Sequence, residues 1–503
     1  MNNKTLRWTN LQIQISELDR FLGRYALGSE SGNGSKHFLR IKVVGGILTI
    51  DQVRTIAEIS EKYGRGYLEV TTRHDIQLHW IRDEDSIEVF SKLEQAGLYT
   101  DMCGQHYPKA GYGDIRNITT CPYTGIQNDE LFETYTIVRD VVKFFTGKRE
   151  YLNLPRKFKI GISACPIHCI KPEVNDLALI AVKTDHGLGF TPLVGGSIGY
   201  PPYIAQPLNI FIPLQESLEF IKTVVEIYNE HGFRERKSMS RFKWLVKELG
   251  AQKIKDMIQE HIGKSLPIFD TSYLSIDWKE HDIIVPEKIQ GLYSLTVPTF
   301  TGLLNVHQFK EIINISERYS SEIRVSPSQK IIVPHIPGEE LDRVKEELRR
   351  IGLDPDQPLI KYRVRACPSD FCGKTNESSK MRAATLLKNL EDALKNQISK
   401  LDITISISGC PNSCAQHIVS DIGLQSTIIR ENEKIITCYN LYVRGSNSKL
   451  AQLLVKNIPS EHVSLVVEDI LRLFIESGYE NFNEFADELI RRGYKYGSRI
   501  SSA

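Results

Sequence analysis

The stretch Gly46-Ile-Leu-Thr-Ile-Asp-Gln-Val-Arg-Thr-Ile-Ala-Glu-Ile-Ser-Glu-Lys-Tyr63 occurs in a second version as Gly302-Leu-Leu-Asn-Val-His-Gln-Phe-Lys-Glu-Ile-Ile-Asn-Ile-Ser-Glu-Arg-Tyr319. Apolar residues recur at helical spacing in both copies, namely Val53, Ile56 and Ile59 and then Phe309, Ile312 and Ile315. An extended segment follows each helix, at 67–80 and 322–334, and a second helix is predicted around 85–96 and 339–351. The repeat predicts a duplicated α+β protein with pseudo-two-fold symmetry.

Cysteine motifs extend the repeat into the rest of the chain. Ile162-Ser-Ala-Cys-Pro-Ile-His-Cys169 matches Ile407-Ser-Gly-Cys-Pro-Asn-Ser-Cys414, and Cys121-Pro122 lies where Cys367-Pro368 lies. Each half of the chain therefore carries cysteines at equivalent positions.

Four cysteines in the C-terminal third form two close pairs, Cys367 with Cys372 and Cys410 with Cys414. Together they make a four-thiolate cage, which is the ligand set of an iron–sulfur cluster or a structural zinc ion. Zinc pairs usually lie on tight knuckles, whereas the second pair here follows an apolar β-type run at 403–408. We therefore favour the cluster and keep zinc as the alternative.

The N-terminal half has only three equivalent thiols, Cys121, Cys165 and Cys169, because Ile126 stands where Cys372 stands. We predict that these three bind no cluster and pack as small apolar groups. The alternative is a second cluster with Cys103 or an external group as the fourth ligand. Cys438 lies outside every motif and is predicted to be a core residue.

The length of the chain predicts two or three domains with sizeable cores. The chain has 503 residues, a net charge of +1 and an odd number of cysteines, nine. This balance predicts no nucleic-acid or membrane partner, and no apolar run reaches the length of a transmembrane helix. The polar N-terminus lacks the core of a signal peptide, so we expect a cytoplasmic protein.

The residues around the cysteines resemble one family, the sirohaem-dependent sulfite and nitrite reductases. Gly409-Cys-Pro-Asn-Ser-Cys414 matches the family signature, although four residues separate Cys367 from Cys372 where the family commonly has five. Five further motifs occur in the family order: Thr71-Thr-Arg73, Arg116-Asn-Ile-Thr-Thr-Cys-Pro122, Leu154-Pro-Arg-Lys-Phe-Lys159, Leu193-Val-Gly-Gly196 and Arg234-x-Arg-Lys-x-x-x-Arg241. The resemblance extends from about residue 38 to about residue 430.

The resemblance implies sirohaem and one 4Fe–4S cluster, with Cys367, Cys372, Cys410 and Cys414 as cluster ligands and Cys414 bridging to the sirohaem iron. It implies that the catalytic cations are Arg73, Arg116, Lys157 and Lys159. The residues expected to bind the cofactors are Arg73, Arg116, Arg234, Arg236, Lys237, Arg241 and Asn412. The four histidines near the motifs are expected to be satisfied polar or supporting residues: His79, His106, His168 and His417.

The expected organisation is an N-terminal extension (1–37), two ferredoxin-like half-domains (38–107 and 290–357) and two larger α/β lobes (108–289 and 358–503). The half-domains are expected to pair, and the cofactors to lie where the lobes meet. No Gly-x-Gly-x-x-Gly follows a strand, so we expect electrons from an external donor, either ferredoxin or a flavoprotein.

The implied function is the six-electron reduction of sulfite to sulfide, with nitrite reduction to ammonia as a side activity. Family nitrite reductases tend to have Asn where this chain has Lys159, and a second ammonium favours the dianion sulfite over the monoanion nitrite. The alternatives are a ferredoxin-dependent nitrite reductase, a precorrin-3B synthase-like oxygenase, and a zinc- or cluster-stabilised binding protein without redox turnover.

Overall fold

The computed structural model describes residues 18, 20–30, 36–102, 105–107, 113–274, 276, 278–372, 375, 377–432, 434–445 and 449–494. Cys103, named above as a possible ligand, and most of the predicted N-terminal extension lie outside these residues. Strands and α-helices alternate along the described chain.

The strands of the first half are β1 (Leu27–Ser29), β2 (Lys36–Lys42), β3 (Ile47–Thr49), β4 (Tyr67–Val70), β5 (Asp75–Arg82), β6 (Tyr99–Thr100), β7 (Gln105–Tyr107), β8 (Gly113–Ile115), β9 (Asn153–Phe158), β10 (Ile160–Ser163), β11 (Leu177–Thr184), β12 (Gly187–Val194), β13 (Gln206–Pro207) and β14 (Ile212–Pro213). The strands of the second half are β15 (Ile284–Pro286), β16 (Leu292–Val297), β17 (Leu303–Asn305), β18 (Glu322–Ser326), β19 (Lys330–Pro337), β20 (Val364–Ala366), β21 (Ile405–Ser408), β22 (Ile422–Glu431), β23 (Lys434–Val443) and β24 (Gln452–Pro459). The helices are α1 (Ile50–Tyr63), α2 (Ser86–Gln95), α3 (Tyr135–Phe145), α4 (Ser217–His231), α5 (Phe242–Ile262), α6 (Val306–Glu317), α7 (Leu341–Arg350), α8 (Leu359–Tyr362), α9 (Ser369–Cys372), α10 (Ser379–Leu394), α11 (Val463–Ser477) and α12 (Phe482–Arg492).

The repeated sequence folds in the same way twice. Helices α1 and α6 each begin with a capping box, in which Thr49 pairs with Gln52 and Asn305 pairs with Gln308. Each helix buries the apolar face predicted from its spacing. The segment 67–80, predicted as extended, is a hairpin of β4 and β5 that turns at 71–74, and 322–334 gives the equivalent hairpin of β18 and β19.

The two half-domains exchange a strand. Strand β17 of the second copy pairs with β4 of the first, and β3 of the first copy pairs with β18 of the second. One continuous hydrophobic core contains residues of both copies, including Val53, Ile56, Phe309 and Ile312. The predicted duplicated α+β fold with pseudo-two-fold symmetry is confirmed, and the exchange explains why the copies form one body.

Each larger lobe has its own sheet and core. In the first lobe, β10 runs parallel to β11 in a sheet covered by α4 and α5. In the second, β20, β21 and β22 are parallel neighbours, and α10, α11 and α12 cover the sheet. The predicted lobe boundaries stay a prediction. Cys438 is fully buried in β23, which confirms that it is a core residue.

The cysteine loops of the two lobes have matching backbone shapes. His168 and Lys171 have left-handed φ values of 46° and 52°, and the equivalent Ser413 and Gln416 have 55° and 68°. The loop that carries Cys165 and Cys169 is therefore built like the loop that carries Cys410 and Cys414. None of the helices in the described ranges combines the length and apolar character that crossing a membrane requires.

Candidate active site

The motifs of the four C-terminal cysteines begin at one edge of the sheet that contains β20 and β21. Cys367 follows β20 and Cys410 follows β21, and these strands are parallel neighbours, so both motifs begin at the same edge. The backbone N–H of Gly409 donates to Cys367 Sγ at 3.2 Å. A Cβ at Gly409 would lie 2.7 Å from the Thr375 Cβ atom, so the glycine of the motif is required for this packing.

The environment of Cys367 favours the binding of positively charged metal ions. Burial, and then the neighbouring Cys414, raise the pKa of Cys367 to about 12. Such a thiol ionises at neutral pH only when a metal supplies compensating charge. Cys372 and Cys414 are exposed, and the role of the four cysteines as cluster ligands stays a prediction.

The shortened Cys367–Cys372 segment is held by an aromatic contact. Phe371 stacks on His79 of β5 with ring centroids 3.5 Å apart, and His79 Nδ1 lies 2.9 Å from Glu30 Oε1. The prediction that His79 is a supporting residue agrees with this position. The stack joins the cluster segment to the first half-domain.

Arg73 lies in the β4–β5 turn and reaches the first large lobe. Its Nη1 donates to Asn175 Oδ1 at 3.0 Å, and its Nη2 donates to the carbonyl oxygen of Asn117 at 2.6 Å. Its Nε is buried and has no hydrogen-bond partner among the described residues. Burial lowers the pKa of Arg73 to about 10, so the side chain stays charged at neutral pH. One donor therefore remains for an anionic group.

Arg116 is buried beside two carboxylates. Its Nη1 lies 3.5 Å from Asp101 Oδ2, and its Nε lies 3.4 Å from Asp114 Oδ1. Lys42 Nζ lies 3.8 Å from Asp101 Oδ1. These carboxylates compensate the charge of Arg116 and hold it near Arg73. The positive charge of Arg116 lowers the pKa of Arg73.

Lys157 and Lys159 come from β9 and the residue that follows it. Burial lowers the pKa of Lys159 well below its usual range, and the positive charges of Arg73, Lys157 and Arg241 lower it further. Cys414 acts on the pKa of Lys159 in the opposite direction. The pocket thus brings four cations together next to the predicted bridging cysteine, and a lysine in this setting releases its proton readily.

Asp176 organises this pocket, although sequence reasoning missed it. Its carboxylate accepts from Arg241 Nε at 3.2 Å, from Arg241 Nη2 at 2.6 Å and from the backbone N–H of Lys159 at 2.8 Å. Thr72 was also missed as a contact; its hydroxyl donates to the Cys414 carbonyl at 2.9 Å. Asp176 is a single polar residue outside every motif, and Thr72 lies in the Thr71-Thr-Arg73 motif, from which only Arg73 was predicted to act.

The remaining predicted cofactor residues lie at the surface. Arg234, Arg236 and Lys237 are exposed, and Arg234 donates to the Asn153 carbonyl at 2.8 Å. Asn412 is exposed as well. Their roles in cofactor binding stay a prediction.

The other histidines near the motifs differ in how much the structure describes. His168 and His417 are buried, and burial lowers the pKa of His417 to about 3. The side chain of His106 lies outside the described part of the chain.

The three N-terminal cysteines lie close to a histidine that was not predicted from the sequence. Cys121, Cys165 and Cys169 lie with His281 so that their ligand atoms are all within 4.8 Å of one another. His281 stands alone in the segment before β15, far from the cysteines in sequence. Its isolation is the reason why no spacing pattern predicted it.

Comparison with known proteins agrees with this arrangement. The family model for the nitrite and sulphite reductase 4Fe-4S domain matches residues 111–266 and 378–486. The model for the nitrite/sulfite reductase ferredoxin-like half domain matches residues 30–96 and 286–351. Together they cover both half-domains and both larger lobes.

Individual proteins are similar over most of the chain. A ferredoxin–nitrite reductase of Leptolyngbya laminosa is 31% identical over 87% of this chain and 86% of its own. Sulfite reductase [ferredoxin] 1 of Mycolicibacterium paratuberculosis is 26% identical over 94% of this chain and 87% of its own. The solved structure of the Mycobacterium tuberculosis NirA protein has the same fold, with a TM-score of 0.84 and 24% identity over 94% of this chain and 89% of its own. The chain belongs to the nitrite and sulfite reductase family and is an oxidoreductase with sirohaem and a 4Fe–4S cluster as its cofactors.

Proposed function

We propose that the chain reduces sulfite to sulfide with six electrons from a ferredoxin, and reduces nitrite to ammonia as a side activity. The observation that carries the proposal is Lys159, which lies among Arg73, Lys157 and Arg241 beside Cys414. Ferredoxin as donor is supported by the names of the similar reductases.

The cofactors supply electrons and an iron on which the oxyanion binds; the chain supplies charge and protons. Cys367, Cys372, Cys410 and Cys414 would hold the cluster, and Arg73 with its unpaired Nε would face the carboxylates of the tetrapyrrole or the oxyanion. Sulfite gives up three oxygens as water, and each water takes two protons. A steady proton source close to the anion is therefore needed.

Lys159 fits the role of proton donor, and its cationic neighbours fit the role of anion binders. Its lowered pKa makes the ammonium a better proton donor than an ordinary lysine. Arg73 and Arg116 keep their charge throughout, since guanidinium groups do not deprotonate in this range. The arginines thus supply a permanent positive charge, and the lysine supplies a proton that can be transferred.

Nitrite as the preferred substrate is the second candidate. It is favoured by the ferredoxin–nitrite reductase that is 31% identical to this chain. The lysine at position 159 favours sulfite, because a dianion gains more from an additional ammonium than a monoanion does.

The test compares kcat/KM for sulfite and nitrite, with reduced ferredoxin and with reduced methyl viologen, in wild type, Lys159→Asn and Lys159→Arg. We expect wild type to prefer sulfite and Lys159→Asn to move the ratio toward nitrite. Lys159→Arg keeps the charge but not the transferable proton, so KM should hold while kcat falls about 100-fold or more. A wild type that prefers nitrite, or an unchanged ratio in Lys159→Asn, would overturn the sulfite assignment.

A further inference from the structure

A second group of metal-ligating side chains lies in the first large lobe, outside the active site. Cys121 Sγ is 3.2 Å from His281 Nε2, and Cys165 Sγ is 3.4 Å from the same atom. With Cys169 Sγ, all four ligand atoms lie within 4.8 Å of one another. Three thiols and an imidazole nitrogen thus converge on one point.

The distances between the ligand atoms distinguish a site for a single metal ion from a site for a cluster. Zinc bonds of about 2.3 Å to sulfur and about 2.0–2.1 Å to nitrogen place the two ligand atoms about 3.5 Å apart in a tetrahedron. The observed separations of 3.2 and 3.4 Å fit this geometry. A 4Fe–4S cluster binds each ligand through a different iron and needs a wider cage. Among the described residues, the four C-terminal cysteines do not form so tight a group.

The protein holds the four ligands in place by contacts that need no metal. The N–H of Lys279 donates to the Ile167 carbonyl at 3.1 Å, which ties the histidine segment to the Cys165–Cys169 loop. Arg363 Nη1 contacts Glu280 Oε2 at 3.1 Å and the His281 carbonyl at 3.3 Å. The site is therefore preorganised from three separate parts of the chain.

The surroundings suit a metal with thiolate ligands. Tyr123, Ile126 and Ile332 pack around the cysteines, and Ile126 occupies the position of the missing fourth cysteine. The amide of Gln127 donates to Cys121 Sγ at 3.6 Å, as an outer contact to a ligand.

We propose that Cys121, Cys165, Cys169 and His281 bind one Zn²⁺ ion in a closed, tetrahedral, structural site. Binding releases the thiol protons and joins the Cys121 turn, the Cys165–Cys169 loop and the His281 segment. The prediction that these cysteines hold no cluster is compatible with this site, because a single ion takes the place of the cluster. The inference does not depend on which oxyanion the enzyme prefers.

Elemental analysis of the holoenzyme, purified without air and with a thiol reductant, tests the site. We expect about one zinc per chain next to about five irons, four in the cluster and one in the sirohaem. In Cys169→Ser and in His281→Ala, zinc should fall at least fivefold while iron, labile sulfide and the sirohaem absorbance stay at wild-type levels. His281 is only partly buried, so its variant should fold.

Cys438→Ala is the matched control, because it removes a buried thiol outside the group and should leave zinc unchanged. Cobalt exchanged into the site gives an independent readout, since tetrahedral Co²⁺ with thiolates absorbs strongly in the visible and the variants should lose these bands. Wild-type protein without zinc, zinc retained in both ligand variants, or about nine irons per chain would each overturn the proposal.

Discussion

The Asp176 carboxylate holds the cations of the active site in place, and Asp176→Asn tests this. The carboxylate is fully buried and takes two bonds from Arg241 and one from the Lys159 N–H. Removing one partner of a buried ion pair costs about 3–5 kcal/mol, because the other charge stays buried. Asparagine keeps one carbonyl acceptor, and Arg241 is 11% exposed. We therefore expect a loss at the lower end, about 3 kcal/mol.

The thermal midpoint of the anaerobic holoenzyme measures this loss by scanning fluorimetry. For a lobe of this size about 1 kcal/mol corresponds to about 2–4 °C, so Asp176→Asn should lower Tm by about 6–12 °C. The control Glu317→Gln breaks a pair with Arg54 at 2.7 Å in which both side chains are about half exposed. Exposed pairs contribute about 0.2–1 kcal/mol.

The two variants should differ in catalysis as well as in stability. Asp176→Asn weakens the contacts that hold the Arg241 side chain and the Lys159 backbone, so KM for sulfite should rise. Glu317→Gln should leave KM unchanged. A Tm loss for Asp176→Asn no larger than that of the control, or an unchanged KM, would refute the idea that this carboxylate positions the cations.

Two further predictions concern the duplicated fold and the cluster. Thr49→Ala and Asn305→Ala each remove a capping box and should each lower the free energy of unfolding by about 1 kcal/mol, measured by urea unfolding; a loss at one position alone would contradict their equivalence. Phe371→Ala removes the ring stacked on His79 and should speed the loss of cluster absorbance in air, with Phe371→Leu less affected. Equal decay rates in all three proteins would show that the stack does not protect the cluster.

The local parts of the fold could be predicted from the sequence, whereas the pairing between copies could not. Helix α1 follows from apolar spacing and a capping box, both of which lie within a short stretch. Strands β3 and β17 are three residues long, and each pairs with the other copy. In a duplicated chain, the hydrogen-bonding edge of either copy is an equally good partner by sequence. Only the packed core decides between the two pairings.

The residues of the candidate site were likewise predictable from the sequence only in part. The C-terminal cysteines lie in two close pairs, so their residue type and spacing alone predict a four-thiolate site. Asp176 and His281 act through contacts between segments that are distant in sequence, and neither has a pattern of its own. Prediction from the sequence thus named residues that lie in motifs and missed residues whose contacts join distant segments.

Equivalent side chains join the half-domains to the two large lobes. His74 Nδ1 lies 2.5 Å from the Val325 carbonyl, and its Nε2 lies 2.7 Å from the Thr120 carbonyl. In the second copy, Gln329 Nε2 donates to the carbonyls of Val70 and Ala366 at 3.2 and 3.0 Å, and its Oε1 accepts from the Ala366 N–H at 3.1 Å. An amide and an imidazole thus perform the same structural task.

His74→Gln should therefore be tolerated and should remove a pH dependence. Burial lowers the pKa of His74 to about 4 from an ordinary value of 6.5, and the hydrogen bonds to two carbonyls oppose this only in part. Between these pH values the unfolded chain binds a proton that the folded chain does not. Stability therefore falls as pH drops through this window, by about 2 kcal/mol from pH 7 to pH 5.

Thermal midpoints at pH 7 and pH 5 measure this contribution. The wild type should lose more stability on acidification than His74→Gln, whose side chain stays neutral at both pH values and still offers one donor group and one acceptor. His74→Leu removes the polar contacts of the ring with Val325 and Thr120 and should be about 1–3 kcal/mol less stable than His74→Gln at both pH values. If His74→Gln is as unstable as His74→Leu, or keeps the wild-type loss on acidification, the two positions do not perform the same task.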